Sequence, residues 1–151
     1  RSPSRGLGDV YKRQGLVDGS VDIITTDHAP HTEEEKALKL DEAPFGIVGL
    51  ETALPLIFTH FVETGKITMH RLVELMSTKP KELFNLDNGT LKVGEKADIV
   101  LVDLNKERKV DTNTFASKGK NTPFTGMKLK GWPMLTVFEG NIVYKDKTYE
   151  I

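Results

Sequence analysis

The chain has 151 residues, 21 Lys and Arg, 22 Asp and Glu, no cysteine and a formal net charge of -1, a length that suits one ordinary domain or a small domain with part of a larger one. At 38% hydrophobic and 28% charged the composition excludes disordered, collagen-like and membrane-spanning classes, and the missing thiols exclude disulfides, thiolate zinc sites and cysteine nucleophiles. The balanced charge argues against nucleic-acid and polybasic membrane partners, and no apolar signal core stands near the start, which leaves a soluble, cytoplasmic α/β or α+β protein.

Residues 1–14 differ from the rest. They hold Arg1, Arg5, Lys12 and Arg13 against Asp9 alone, a net of +3, while the remainder of the chain carries -4. They show neither a helical nor a strand period. A solvated basic arm and a targeting peptide are two readings. The stretch also resembles the translated adapter sequence that recurs at the ends of fragments in environmental collections, in which case the chain begins inside a gene. The segment is therefore set apart from the functional argument and is expected to make no specific contact with the rest.

Residues 21–26 are short and β-branched after a Gly/Asp/Ser turn, and predict a buried strand. Residues 27–45 are polar and predict a long loop with one short helical turn, a length that is usually functional inside a compact domain. From Gly46 the apolar residues Ile47, Leu50, Leu54, Ile57, Phe58, Phe61 and Val62 recur at helical spacing, with Pro55 either kinking the helix or lying in its first turn. Gly65 ends it. Thr68 predicts an N-cap for a second helix with Leu72, Val73, Leu75 and Met76. Pro80 then restarts the helix, with Leu83 and Phe84 facing the core. Asn88-Gly89 is a turn. After it the period changes to that of strands, at residues 97–103 and in a hairpin of 134–139 and 141–145 around Gly140. Residues 15–86 thus read as α/β and residues 87–151 as β.

The sharpest feature is Thr25-Thr26-Asp27-His28-Ala29-Pro30-His31. A carboxylate ends a predicted strand, two imidazoles follow it, and Pro30 stiffens the backbone between them. Such a carboxylate can bind a metal through one oxygen and take a proton through the other. Spacing alone leaves a second reading open, a strand-terminal Asp capping a loop with solvent-facing histidines. His60 and His70 fall on predicted helices and read as surface or packing residues.

Ile24 to Thr32, with Glu34-Glu35-Lys36 behind it, resembles the motif that follows the eighth barrel strand of bacterial class I dihydroorotases, in the amidohydrolase superfamily. Ala43-Pro44-Phe45-Gly46-Ile47-Val48-Gly49-Leu50-Glu51-Thr52-Ala53-Leu54-Pro55-Leu56 is similar to the next block of that family. Gly89-Thr90-Leu91-Lys92-Val93-Gly94-Glu95-Lys96-Ala97-Asp98-Ile99-Val100 resembles the superfamily's entry to its small β domain, and Lys120-Asn121-Thr122-Pro123-Phe124 resembles the dihydroorotase tail. The resemblance implies the C-terminal part of a (β/α)8 barrel at 15–86 and part of a small β-sandwich domain at 87–151.

It further implies zinc-dependent, reversible hydrolysis of the cyclic amide of dihydroorotate to N-carbamoyl-aspartate, in pyrimidine (UMP) biosynthesis. Asp27 matches the catalytic aspartate, also a metal ligand. His31 matches a residue that binds the substrate carboxylate, and Phe45 and Gly46 match the loop lining the substrate ring. Two zinc ions activate a bridging water in that family, and Asp27 collects and returns its proton. His28 receives no firm role. No His-x-His occurs in the chain, and a whole barrel needs roughly 250 residues, so the expectation is a fragment inactive alone. The resemblance allows a homodimer or an assembly with aspartate carbamoyltransferase. Two alternatives stay open: a non-catalytic dihydroorotase-like partner of that transferase, and an allantoinase- or hydantoinase-type cyclic amide hydrolase.

Overall fold

The computed structural model describes residues 3–87 and 89–150. Helical segments come first: α1 (Pro3–Asp18), α2 (Glu33–Lys36), α3 (Ala53–Ile57), α4 (Met69–Val73) and α5 (Lys79–Phe84). Strands follow: β1 (Ile99–Asp103), β2 (Arg108–Lys109), β3 (Lys128–Leu129), β4 (Trp132–Phe138) and β5 (Asn141–Lys145). β4 lies between β1 and β5, antiparallel to both, and β2 pairs with β3 in a second small sheet. The fold is α/β in class. The hairpin around Gly140 lies where the sequence predicts it, with Phe138 opposite Asn141.

The helices form where caps and periodicity direct them. The Thr68 hydroxyl accepts from Arg71 N–H and caps α4. Thr32 and Glu35 cap each other at α2, a reciprocal pair that satisfies two otherwise free N–H groups. Pro55 lies in the first turn of α3, where its missing N–H has no helical partner to lose. At Pro80 the helix does not restart. A π turn over Glu74–Thr78 runs directly into α5, and such a widened turn accommodates a proline ring inside a continuous helix.

Several elements depart from the sequence reading. Helix α1 runs through residues that show no period. Val10, Tyr11 and Val17 are more than half exposed, and Gly15 and Leu16 are the part of residues 10–18 that reaches the core. Over residues 10–18 the helix buries no stripe, and such a segment carries no periodic signal. Residues 21–26 form no strand, because the described chain offers them no partner strand. Instead Val21 N–H donates to Gly15 O and Ile24 N–H to Leu75 O, each at 3.0 Å. The helix expected from Gly46 starts only at Ala53, because the first pair it would make is diverted: Leu50 N–H goes to His28, and Gly46 O accepts from Lys36 and Asn121. Leu83 and Phe84, expected to face the core, are 56% and 64% exposed. The turn at Asn88-Gly89 falls partly outside the described residues.

Two apolar clusters hold the chain together. Phe58, Ile67, Leu72 and Leu75 form one, with Val21 and Ile24 packed on it. Val48, Val110, Phe115 and Leu129 form the other, joined by Leu56, Phe124 and Trp132. The second draws on both sides of residue 86, so the helical and β regions share a core. Gly131 completes the junction. Its φ is 79°, and a Cβ there would stand 2.7 Å from the Phe58 ring.

One buried ionic group ties the strands. Asp146 is 7% exposed. It accepts from Arg108 Nη1 at 2.5 Å, from Thr148 N–H at 3.0 Å and from the Thr148 hydroxyl, with Lys106 Nζ at 3.6 Å. Burial opposes its ionisation, but the hydrogen bonds from Thr148 and Arg108 and the Arg108 charge outweigh it. They hold the Asp146 carboxyl well below the usual carboxylate range.

Candidate active site

The site is made of two loops drawn together edge to edge. Residues 27–31 form the first. At Asp27 the backbone turns with φ 45°, the left-handed region that Asp and Asn tolerate better than most residues. The Asp27 residue is exposed. The chain then meets residues 43–49 in a single parallel bridge between His28 and Ile47, with Ala29 N–H donating to Ile47 O at 2.9 Å.

His28, left without a role by the sequence, closes this junction. Its Nδ1 accepts from Gly49 N–H at 3.1 Å and from Leu50 N–H at 3.4 Å. Two donors on Nδ1 place the ring proton on Nε2. His28 therefore organises the loop, and the Leu50 N–H it takes is one that a helix from Gly46 would otherwise have used.

His31 points across to the second loop. Its Nε2 lies 3.0 Å from Phe45 O, and because a carbonyl only accepts, Nε2 carries a proton. Its Nδ1 lies 3.4 Å from Glu35 Oε2. Gly46 is required beside it: φ is 116°, and a Cβ would stand 2.5 Å from Ala29 Cβ. The structure thus brings His31, Phe45 and Gly46 together. Asp27 lies four residues away on the same loop. His60 and His70 are exposed and lie on other elements, His70 beside Glu74 at 3.4 Å.

A third segment, given no role at the site by the sequence, fixes the pair. Glu51 accepts from Ala116 N–H at 3.0 Å and Ser117 N–H at 3.1 Å, and Lys120 Nζ donates to Phe115 O and Ser117 O, both at 2.8 Å. This folds residues 115–120 into a compact turn and delivers Asn121 between the two loops. Lys36 Nζ donates to Pro44 O at 2.9 Å and Gly46 O at 3.2 Å. A cavity of about 310 Å³ lies against His31, Lys36, Lys120 and Asn121. Both ammonium groups are already engaged by carbonyls. At α2 the Glu34 carboxyl lies below its ordinary range, held first by its own backbone N–H and then by the Thr32 hydroxyl.

The arrangement offers an exposed carboxyl side chain at Asp27 and an imidazole N–H held at a fixed position. Among the described residues, no three His, Asp or Glu side chains are placed to hold a metal ion. No described helix is long and apolar enough to cross a membrane.

The model of the amidohydrolase family matches residues 11–143. The chain belongs to the amidohydrolase family. Among curated amidohydrolase relatives, the dihydroorotase of Anoxybacillus flavithermus is 58% identical over 132 residues, covering 87% of this chain and 31% of that protein. The dihydroorotase of Bacillus subtilis is 54% identical over 133 residues, with 88% and 31% covered. Among solved amidohydrolase structures, the L-hydantoinase of Arthrobacter aurescens superposes with a TM-score of 0.84 at 36% identity, over 94% of this chain and 33% of that one. The D-hydantoinase of a Thermus species gives 0.83 at 28% identity, over 93% and 32%. The chain spans about a third of the length of these relatives.

Proposed function

We propose that this amidohydrolase chain supplies the proton-transfer and substrate-carboxylate part of a dihydroorotase. The observation that carries the reading is identity above 50% to proteins named dihydroorotase across 87% of the chain. In this reading residues 15–86 are the end of a (β/α)8 barrel and residues 87–151 part of its small β domain. Residues 1–14 stand outside the functional unit, in keeping with the exposure of residues 10–14. A cytoplasmic location and a homodimer, or an assembly with aspartate carbamoyltransferase, belong to the same reading.

The chemistry is addition of water to the ring amide carbonyl and cleavage of the C–N bond. Asp27 takes a proton from the attacking water and delivers it to the departing ring nitrogen, base first and acid second. The reverse direction closes N-carbamoyl-aspartate and releases water. His31, with Phe45 and Gly46, orients the substrate through its carboxylate and ring. Zinc, two ions per site, is part of the proposal, but the described residues do not themselves form its site. A catalytic zinc takes about three protein ligands, and Asp27 is the one ligand this chain contributes. The others are assigned to parts of the relatives that this chain does not match.

The test is a chimera in which residues 15–151 replace the matched third of the Bacillus subtilis dihydroorotase. Turnover of dihydroorotate within about tenfold of the host supports the reading. A folded, zinc-loaded chimera without turnover overturns it. The hydantoinase likeness motivates a parallel panel of hydantoin and dihydrouracil; preference for either would move the assignment to that class. In the active chimera, His31→Ala is expected to raise KM for dihydroorotate with zinc content unchanged. A charge-assisted hydrogen bond contributes about 1.5–3 kcal/mol, roughly 10- to 150-fold. Loss of zinc by elemental analysis would make His31 a ligand instead.

A further inference from the structure

We propose that Asn121 is a positioning residue that locks the His31 loop and the Phe45–Gly46 loop into one unit and so sets where His31 meets the substrate. The substrate part of this inference rests on the dihydroorotase reading.

The geometry is a saturated side-chain amide. Asn121 Oδ1 accepts from His31 N–H at 3.0 Å. Asn121 Nδ2 donates to Ala29 O at 3.0 Å and to Gly46 O at 3.2 Å. The Asn121 backbone carbonyl accepts from Val48 N–H at 3.0 Å. The partners fix the orientation of the amide, because two carbonyls can only accept and an N–H can only donate. Asn121 therefore holds the backbone on both sides of Pro30 and both sides of Ile47, from a position 90 residues beyond His31. Gly119 makes the approach feasible: a Cβ there would stand 2.7 Å from Pro30 Cβ.

A direct link between the loops runs through His31 Nε2 and Phe45 O. That contact is made by the ring that, in the proposed reading, must also serve the substrate. When the imidazole turns to a carboxylate, the loops need a tie that does not involve it. The His28–Ile47 bridge and the His28 ring tie the loops upstream of Pro30; Asn121 is the tie that reaches His31 itself, since it binds only backbone groups, His31 N–H among them, and is part-buried. Asn121→Asp keeps the shape and the acceptor for His31 N–H. It replaces the two-bond donor with an oxygen facing two carbonyls, which repels both loops.

Two measurements test this. In the 151-residue chain, Asn121→Asp is expected to speed amide exchange at residues 29, 31 and 46–48 by about tenfold or more, with α4 unchanged. In the chimera, the same substitution is expected to raise KM for dihydroorotate about tenfold, with kcat within about threefold and zinc retained. Its effect on KM should shrink in a His31→Ala background, because contacting residues that act through one another do not add. Asn121→Ser, which loses the reach without adding charge, should give the same pattern. Unchanged KM, effects of Asn121 and His31 that multiply, or exchange that rises uniformly would overturn the inference. So would failure of both variants to fold, which would make Asn121 a folding residue. If the parent chimera does not turn over dihydroorotate, the functional reading fails, and the exchange measurement still decides whether Asn121 ties the loops.

Discussion

Asp27→Asn is expected to lower dihydroorotate turnover by the chimera about 10²–10⁴-fold, the usual loss when a general base is removed. The substitution is informative because of the backbone it leaves intact. Residue 27 has φ 45°, and Asn is the other residue type that enters this region readily. The loop should therefore keep its path, and His28 its two bonds to Gly49 and Leu50 N–H. What changes is the carboxylate. An amide accepts no proton at neutral pH and is a poorer ligand for a hard or borderline cation. Unaltered circular dichroism together with activity within about tenfold of the parent would show that another group carries the proton.

The second large effect lies in the β region. Asp146→Asn leaves the Arg108 guanidinium without its carboxylate. Removing one partner of a buried pair costs about 3–5 kcal/mol. Arg108 keeps 25% of its side chain exposed, so water offsets part of this and about 2–3 kcal/mol is expected. The sign with pH follows from the lowered carboxyl. A group depressed in the folded state contributes stability above its unfolded value, 3.8, and loses it as pH falls through the folded value. Wild-type chain should therefore lose this contribution only below about pH 4, while the Asn variant lacks it throughout. Trp132 is the chain's single tryptophan, and Arg108 lies 5.9 Å from its ring. Its fluorescence in urea at pH 7 and pH 3 reads the difference. Equal midpoints at pH 7 would show that Asp146 contributes nothing net.

Sequence patterns exposed the elements that are stabilised locally. Thr68 caps a helix by its own hydroxyl, and the residues around Gly140 pair across one turn; neither needs distant chain. Patterns misled where a partner decides the structure. Residues 21–26 have strand composition, but a strand exists only by pairing, and the described chain gives these residues two helical carbonyls, Gly15 O and Leu75 O, instead. Residues 46–50 have helical spacing, but Leu50 N–H is claimed by His28 and Gly46 O by Lys36 and Asn121. The residues proposed to bear the chemistry, Asp27, His31, Phe45 and Gly46, lie in two contiguous motifs, and the structure brings the last three together. Asn121 was visible as a letter in a motif and not as a tie, since nothing in spacing links it to a histidine 90 positions earlier. The exposed Leu83 and Phe84 show the same limit from the other side: an apolar letter does not name the surface it meets.

The second loop meets His31 through the carbonyl of residue 45, while the Phe45 side chain is 91% exposed. Grip and reach are thus divided between backbone and side chain at one position. Any residue can furnish the carbonyl, so the ring at this position is free to drift without loosening the histidine. Within the proposed reading, a lineage could retune which ring the pocket accepts by a single exchange at 45 and keep its anion contact intact. Gly46, one step further on, has no such freedom.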